Sequence, residues 1–251
     1  MPSRRALLAA FATFSFSTAG CLGSSRSTEL PVGESHDAGS FAVRVSNPRV
    51  RHGIAKFGTV HIDPVWEAGA QFLVVDLAVE GDGPTPSELD VVAETNQGSV
   101  EDRYPVHSPG ATETIRSFGF PIPTDEGLTD VAVRWRGTQT VSWTLSDDIV
   151  ASLRRAPDFT VESFVVPETA APETDVDVSL TVQNTGDRDG RFLAELGPAG
   201  LSDQSEIEVR VPAGETKTTT RPVQVYFSDD DTADVVLRWE GGTEQRTVQR
   251  T

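Results

Sequence analysis

The sequence predicts an all-β protein of two tandem antiparallel β-sandwiches joined by a short helix. Three observations lead there. Short segments of alternating apolar and polar residues recur through the chain, with Gly, Pro, Asn and Asp turn signals between them. Only one stretch, Ser146 to Ala156, reads as a helix. The motif Val-x-x-Arg-Trp-x-Gly occurs twice, at 131–137 and 235–241, about a domain's length apart.

The chain opens on a segment of another kind. Arg4 and Arg5 supply a positive start, and 6–19 is apolar or small, with Leu7, Leu8, Phe11, Phe14 and Phe16 and no charge. This run is shorter than the ~20 residues of a membrane span but fits the apolar part of a secretory signal. Ser3-Arg4-Arg5-Ala6-Leu7-Leu8 resembles a twin-arginine export signal, with Ala6 where such signals often carry Phe. Thr18-Ala19-Gly20-Cys21 resembles the lipobox of bacterial and archaeal lipoproteins. That resemblance implies cleavage before Cys21 and a lipid on its thiol. Cys21 is the only cysteine, so no intramolecular disulfide can form. Two acyl chains hold a protein firmly where one does not, so the resemblance implies a two-chain lipid. Residues 1–20 are then the signal, and the expected partner is the membrane, reached through Cys21 at the extracellular face of the cytoplasmic membrane.

The formal net charge is −17, and removal of Arg4 and Arg5 would make it more negative. Lysine occurs only at Lys56 and Lys217. The composition resembles that of secreted proteins of extreme halophiles. At molar salt the Debye length falls to ~3 Å, so dense surface carboxylates barely repel one another. With no basic stripe to neutralise phosphates, nucleic acid is excluded as a partner.

Residues 21–40 are small and polar without apolar periodicity, and are expected to be a flexible tether with a reach of roughly 25 Å. The first sandwich is expected over 41–145. Phe41 to Val45 alternates as a strand, Val60 to Trp66 is broken by Pro64, and Gln71 to Glu80 is apolar on both faces and therefore central. Glu88 to Thr95 and Thr114 to Ile122 follow. Val131 to Trp135 and Val141 to Leu145 form a hairpin.

Residues 146–157 are expected to be a helical linker, a rigid spacer. Ser146 is its N-cap, Asp147 and Asp148 lie at the positive end of its dipole, Arg154 and Arg155 at the other, and Pro157 stops it. The second sandwich is expected over 158–251. Val176 to Gln183 alternates cleanly, Asn184-Thr185-Gly186-Asp187 turns the chain, and Phe192 to Leu196 and Ile207 to Val211 are strands. After the turn Pro212-Ala213-Gly214-Glu215, Val223 to Phe227 and Val235 to Trp239 are strands, and Gly241-Gly242 makes the last turn. Seven short strands in ~90 residues indicate a sandwich.

Val178 to Asp187 followed by Val211 to Thr216, a strand ending in Asn-x-Gly and a later Pro-x-Gly-Glu turn, resembles the CARDB-type immunoglobulin-like domain. Residues 69–77 of the first unit resemble the immunoglobulin-like domains that follow the lipobox in many lipoproteins. The implied architecture is two tandem immunoglobulin-like antiparallel β-sandwiches, and the implied role is adhesion or spacing, with another surface protein as partner. Val131 to Gly137 aligns with Val235 to Gly241, Leu77 and Val79 with Leu180 and Val182, and Phe41 with Phe159. The two units are thus expected to be copies of one architecture, with Trp135 and Trp239 buried on equivalent strands.

Candidate chemistry is sparse. His36, His52, His61 and His107 have no metal-ligand spacing. Asp229, Asp230 and Asp231 are weak calcium candidates, since a calcium loop spreads its ligands at alternate positions around a Gly. Trp66 and Tyr104, at strand ends, are candidates for stacking a carbohydrate, and with the acidic loop they leave open an alternative role as a ligand-binding lipoprotein, for carbohydrate or calcium, that uses the loop ends of a sandwich. No nucleophile elbow, phosphate loop or paired-histidine zinc motif occurs, so no catalytic residue, enzyme activity or cofactor is implied.

The charge pattern has a measurable consequence. The protein is expected to hold its fold in molar salt and to lose structure as salt falls toward ~0.1 M. Circular dichroism across a salt series checks this, and a constant melting temperature over that range would overturn it.

Overall fold

The central strand of the first unit is apolar on both faces because a layer lies on each. The computed structural model describes residues 27–57, 62–108, 111–199 and 205–251. In it the first unit comprises β1 (Thr28–Pro31), β2 (Ser35–Asp37), β3 (Phe41–Arg51), β4 (Gly53–Phe57), β5 (Ile62–Trp66), β6 (Ala70–Gly81), β7 (Val91–Thr95), β8 (Gly98–Val100), β9 (Tyr104–Val106), β10 (Ile115–Pro123), β11 (Val131–Arg136), β12 (Thr140–Thr144) and the helix α1 (Asp147–Leu153). One sheet runs β1-β12-β11-β7-β8 and the other β2-β3-β6-β10-β9-β4-β5. Leu73, Val75, Leu77 and Val79 of β6 point into the space between the sheets, with Phe118, Phe120, Val133 and Trp143. Phe72 and Val74 point the other way, against Ile54 and a smaller cluster with Val65, Tyr104 and Val106.

The second unit comprises β13 (Phe159–Val165), β14 (Thr169–Ala170), β15 (Asp175–Asn184), β16 (Gly190–Pro198), β17 (Ser205–Val211), β18 (Thr216–Gln224), β19 (Thr232–Trp239) and β20 (Gly242–Arg250). Its sheets are β13-β15-β18 and β14-β20-β19-β16-β17. The two units share a topology. β3-β6-β10 answers β13-β15-β18, and β12-β11-β7-β8 answers β20-β19-β16-β17. In each, the last strand also takes a short parallel partner, β1 beside β12 and β14 beside β20. The first unit adds β2 and the β4–β5 hairpin with β9.

The turn chemistry of the second unit is one connected structure. Asn184 is fully buried. Its side-chain amide donates to the carbonyls of Arg188 (2.6 Å) and Val211 (3.0 Å), and its oxygen accepts from the N–H groups of Gly186 (3.1 Å) and Asp158 (3.3 Å). The Asn184 backbone N–H donates to Glu215 (2.9 Å), across the Pro212 turn in which Gly214 takes a φ of +69°. A buried amide with all its polar capacity used is worth far more than an exposed one. The Asn-x-Gly and Pro-x-Gly-Glu sequences are thus two halves of one clasp.

Several expectations are corrected. Residues 21–40 are not a tether throughout: β1 and β2 lie within them, and Leu30, Val32 and Ala38 pack on the first core. The stretch lacks periodicity because these strands are three or four residues long, and their partners, β12 and β3, decide their conformation. The first sandwich therefore begins before residue 41. Residues 146–157 are not a free spacer. Val150 and Leu153 of α1 are buried in the first core, so the helix belongs to that unit. Ser146 is extended, as an N-cap should be, but its side chain makes no capping bond; its carbonyl accepts from Ile149 and Val150. Arg154 and Arg155 fall beyond the last helical turn. Pro64 is tolerated because β5 is an edge strand. The second unit has eight described strands, and β18 occupies 216–224 rather than 223–227. It is polar because it is an edge, paired only with β15, and only Val223 of it is buried.

Trp135 and Trp239 do lie on equivalent strands, β11 and β19. Trp135 is 5% exposed, covered by Phe41 (ring centroids 5.8 Å apart) and His36 (6.0 Å). Trp239 is half-buried: it faces the gap between the units, and no counterpart of β2 covers it among the described residues. In both, the glycine two residues on lies under the indole: a Cβ on Gly137 would stand 2.3 Å from Trp135, and one on Gly241 2.7 Å from Trp239.

Trp143 is the largest fully buried side chain, and its Nε1 donates to the carbonyl of Glu34 (2.9 Å). Trp143→Ala is expected to cost ~3–5 kcal/mol and Trp239→Ala roughly half as much, since less surface is lost from cover. Denaturant unfolding of both variants checks the order; equal losses would contradict it.

Candidate functional site

Trp66, His52 and His107 meet several arginines and acidic side chains where the two sandwiches face each other. Three features bring them there. The β4–β5 hairpin reaches from the first unit onto β16 and β17. A bulge in β3 between Ser46 and Arg49, with Asn47 at a φ of +49°, turns Arg49 and its neighbours toward the gap. Finally, α1 ends against the second unit, where Arg188 donates to the Ala151 carbonyl (2.5 Å) and to Ser152 Oγ (3.1 Å).

Further contacts cross the gap. His52 Nε2 meets the carboxylate of Glu240, and its ring lies 5.6 Å from that of Phe159. Arg155 pairs with Asp187 at 2.8 Å, and Arg51 lies 3.8 Å from Glu208. Several cavities lie between these contacts. The first, of about 430 Å³, is walled by Trp66, Trp239, Phe159, Phe192 and Leu193, with His52 and Glu240 at its polar side. Gly53 is required beside Trp66, because a Cβ there would stand 2.7 Å from the indole. The second, of about 200 Å³, is bounded by Arg51, Arg155, Arg188 and Arg191. The third, of about 410 Å³, lies between Arg49, Arg51 and Asp76 on one side and Glu206 and Glu208 on the other.

Local electrostatics follow from this packing. Burial alone would raise the Asp76 carboxyl, but hydrogen bonds from Ser117 Oγ (2.6 Å), Asn47 Nδ2 (2.9 Å) and Arg49 Nη1 (3.0 Å), with the charge of Arg49, hold it below the usual carboxylate range. Glu206 is pushed up by burial and then by the neighbouring Glu208. Arg51 is pushed down by burial; Glu208 opposes this, while Arg191 and Arg49 add to it.

The sequence-predicted residues scatter. Trp66 lines the aromatic cavity. Tyr104 does not join it: its ring meets Phe72 edge-on at 5.8 Å, and its hydroxyl donates to Glu67 (2.7 Å). Asp229, Asp230 and Asp231 form the turn before β19, and Asp231 accepts from Arg250 (2.9 Å). Among the described residues no three His, Cys, Asp or Glu side chains are grouped to hold a metal ion. Arg4, Arg5, Cys21 and His61 lie outside the described residues. No helix among the described residues is long and apolar enough to cross a membrane. Arg51, His52, Arg188, Arg191 and Trp239 were not singled out by their sequence context as cleft residues. The one available signal was the clustering of arginine in Arg49-Val50-Arg51-His52 and Arg188-Asp189-Gly190-Arg191 within a strongly acidic chain.

No protein-family model matches the chain, and no curated protein matches it. Among solved structures it is similar to a β-glucosidase from Listeria innocua, at 16% identity and a TM-score of 0.31, over 38% of this chain and 16% of the glucosidase. It is also similar to an uncharacterized β-sandwich protein from Clostridium difficile 630, at 10% identity and a TM-score of 0.37, over 51% of this chain and all of that one. A titin fragment, A168–A169, aligns over 81% of this chain at 11% identity and a TM-score of 0.18. The chain thus spans less than a fifth of the length of the glucosidase, and at these scores the likenesses carry no functional assignment.

Asp76→Asn checks the electrostatics. A carboxyl held low stabilises the fold above its unfolded-state value, near 4, and loses that contribution as pH falls through its lower folded value. The variant is therefore expected to melt below the wild type at pH 7, with the gap closing as pH drops below ~4. A gap independent of pH would contradict this.

Proposed function

We propose that this protein is a non-catalytic lipoprotein of the extracellular face of the cytoplasmic membrane, held by a lipid on Cys21 after twin-arginine export. Its two sandwiches act as an interaction or spacer module toward another surface protein. The observation that carries this reading is the order of the N-terminal signals: an arginine pair, an apolar run, and Thr18-Ala19-Gly20-Cys21. The position of β1 supports it. Thr28 is seven positions after Cys21, a span of at most ~25 Å when fully extended. A lipid on Cys21 would hold the first sandwich close to the headgroups through an edge strand of its sheet. The ion pairs that join the units would then present them as one body rather than as two beads on a string. Acidic surfaces such as this one stay soluble and unassociated in concentrated salt, which suits a module that meets its partner through a limited face.

A second reading, of a ligand-binding lipoprotein, is favoured by the aromatic cavity. Trp66 and Trp239 there offer indole surfaces of the kind that stack on sugar rings. In this reading the ligand would sit between the sandwiches and not at their loop ends.

Cys21→Ser is expected to release the protein into the medium, because it removes the only thiol that can carry a lipid. Membrane fractionation reads the outcome. A variant retained on membranes as fully as the wild type would overturn the anchored reading.

A further inference from the structure

The 200 Å³ cavity between the units is lined by four arginines in a chain whose net charge is −17. Nearby carboxylates pair with three of them and leave Arg188 without one among the described residues. Glu208 serves two, at 3.1 Å from Arg191 and 3.8 Å from Arg51. Asp189, which also lines the cavity, is turned to Arg210 (3.2 Å) and to the Ala213 N–H (3.1 Å), and Arg155 is paired with both Asp187 (2.8 Å) and Glu126 (3.4 Å). Arg188 forms no ion pair among the described residues; its partners are a carbonyl and a hydroxyl. These two bonds orient its guanidinium against the end of α1. Gln71 and Ser152 add polar groups to the wall, and His52 lies at the boundary with the aromatic cavity.

We propose that this cleft binds an oxyanion, a sulfate, phosphate or carboxylate, between Arg51, Arg188 and Arg191. Guanidinium forks match two oxygens of such a group at once, and the partly buried setting strengthens each contact over its value in water. Burial and the neighbouring Arg191 and Arg49 already disfavour the charge on Arg51, so an arriving anion relieves a repulsion as well as making bonds. The volume exceeds that of one free oxyanion, and His52 and Pro157 line both this cavity and the aromatic one. The anion can therefore be free, or carried on a ring that rests against Trp66 and Trp239.

Calorimetric titration of the purified protein at constant chloride tests this, with sodium phosphate, sodium sulfate and glucuronate as separate probes. Saturable one-to-one binding of at least one is expected. Arg188→Gln should weaken it at least tenfold, whereas Arg221→Gln, an exposed arginine on β18, should leave it unchanged. Glucuronate binding more tightly than the inorganic ions, with the advantage lost in Trp66→Ala, would identify a ring-borne anion; equal or weaker binding would identify a free one. Absence of saturable binding by all three probes to the wild type would overturn the proposal, whatever the variants do. So would an Arg188→Gln protein that melts like the wild type and binds as tightly, or an equal loss in Arg221→Gln. Cys21→Ser fractionation is independent of all these outcomes.

Discussion

The side-chain amide of Gln71 holds the end of α1. Gln71 is 3% exposed, on the central strand β6, and its Nε2 lies 2.8 Å from the Ser152 carbonyl, 3.1 Å from that of Leu153 and 2.9 Å from that of Arg155. The last carbonyls of a helix have no partner within it, and a buried amide donor supplies what water cannot reach. A short helix is not stable by propensity, so this bond set and the burial of Val150 and Leu153 are what make it one. Where α1 ends decides where Pro157 and Phe159 begin the second sandwich. It also decides that Arg188 finds the Ala151 carbonyl and Arg155 finds Asp187.

That geometry explains the shape of the gap. A connection of a few residues between two sandwiches would ordinarily leave them free to swing. Here one side of the gap is held by the helix end and the other by the β4–β5 hairpin, which has no counterpart among the described strands of the second unit. The two holds differ in chemistry. The hairpin side is aromatic around its larger cavity, with Gly53 giving the Trp66 indole its place. The helix side is polar and leaves space among arginines. Cavities persist between units because neither sandwich can deform its sheets to fill them: both faces of β6 are already packed.

How much could be read in advance varied with the kind of signal. Leu73 to Val79 alternate against a buried partner face, so the strand and its central place were legible. Val176 to Val182 were legible for the same reason, and so was the pairing of Val131–Arg136 with the strand after it. Leu30 and Ala38 gave no signal, because a strand of three or four residues has no period and takes its conformation from its neighbours. Thr216 to Arg221 misled, since an edge strand that is polar on both faces looks like a loop. Trp66 was legible as a possible contact residue, but Tyr104 looked the same and proved to be packing, because what separates them is the sheet that β9 joins.

Sequence by itself determined the class of this protein. Alternation, turn residues and the repeated Val-x-x-Arg-Trp-x-Gly set two all-β units of one topology, because period-two patterning can bury a face only in a sheet. Sequence also determined the solvent-facing charge. Only the tertiary structure decided that residues 28–37 belong to the first sandwich, that α1 is part of that core, and that Arg51, Arg188 and Arg191 share one cleft. Those residues stand up to 140 positions apart, and nothing local to any of them encodes the others. Their meeting is set by where a buried glutamine stops a helix and by how far a hairpin reaches, and such distances exist only once the chain has folded.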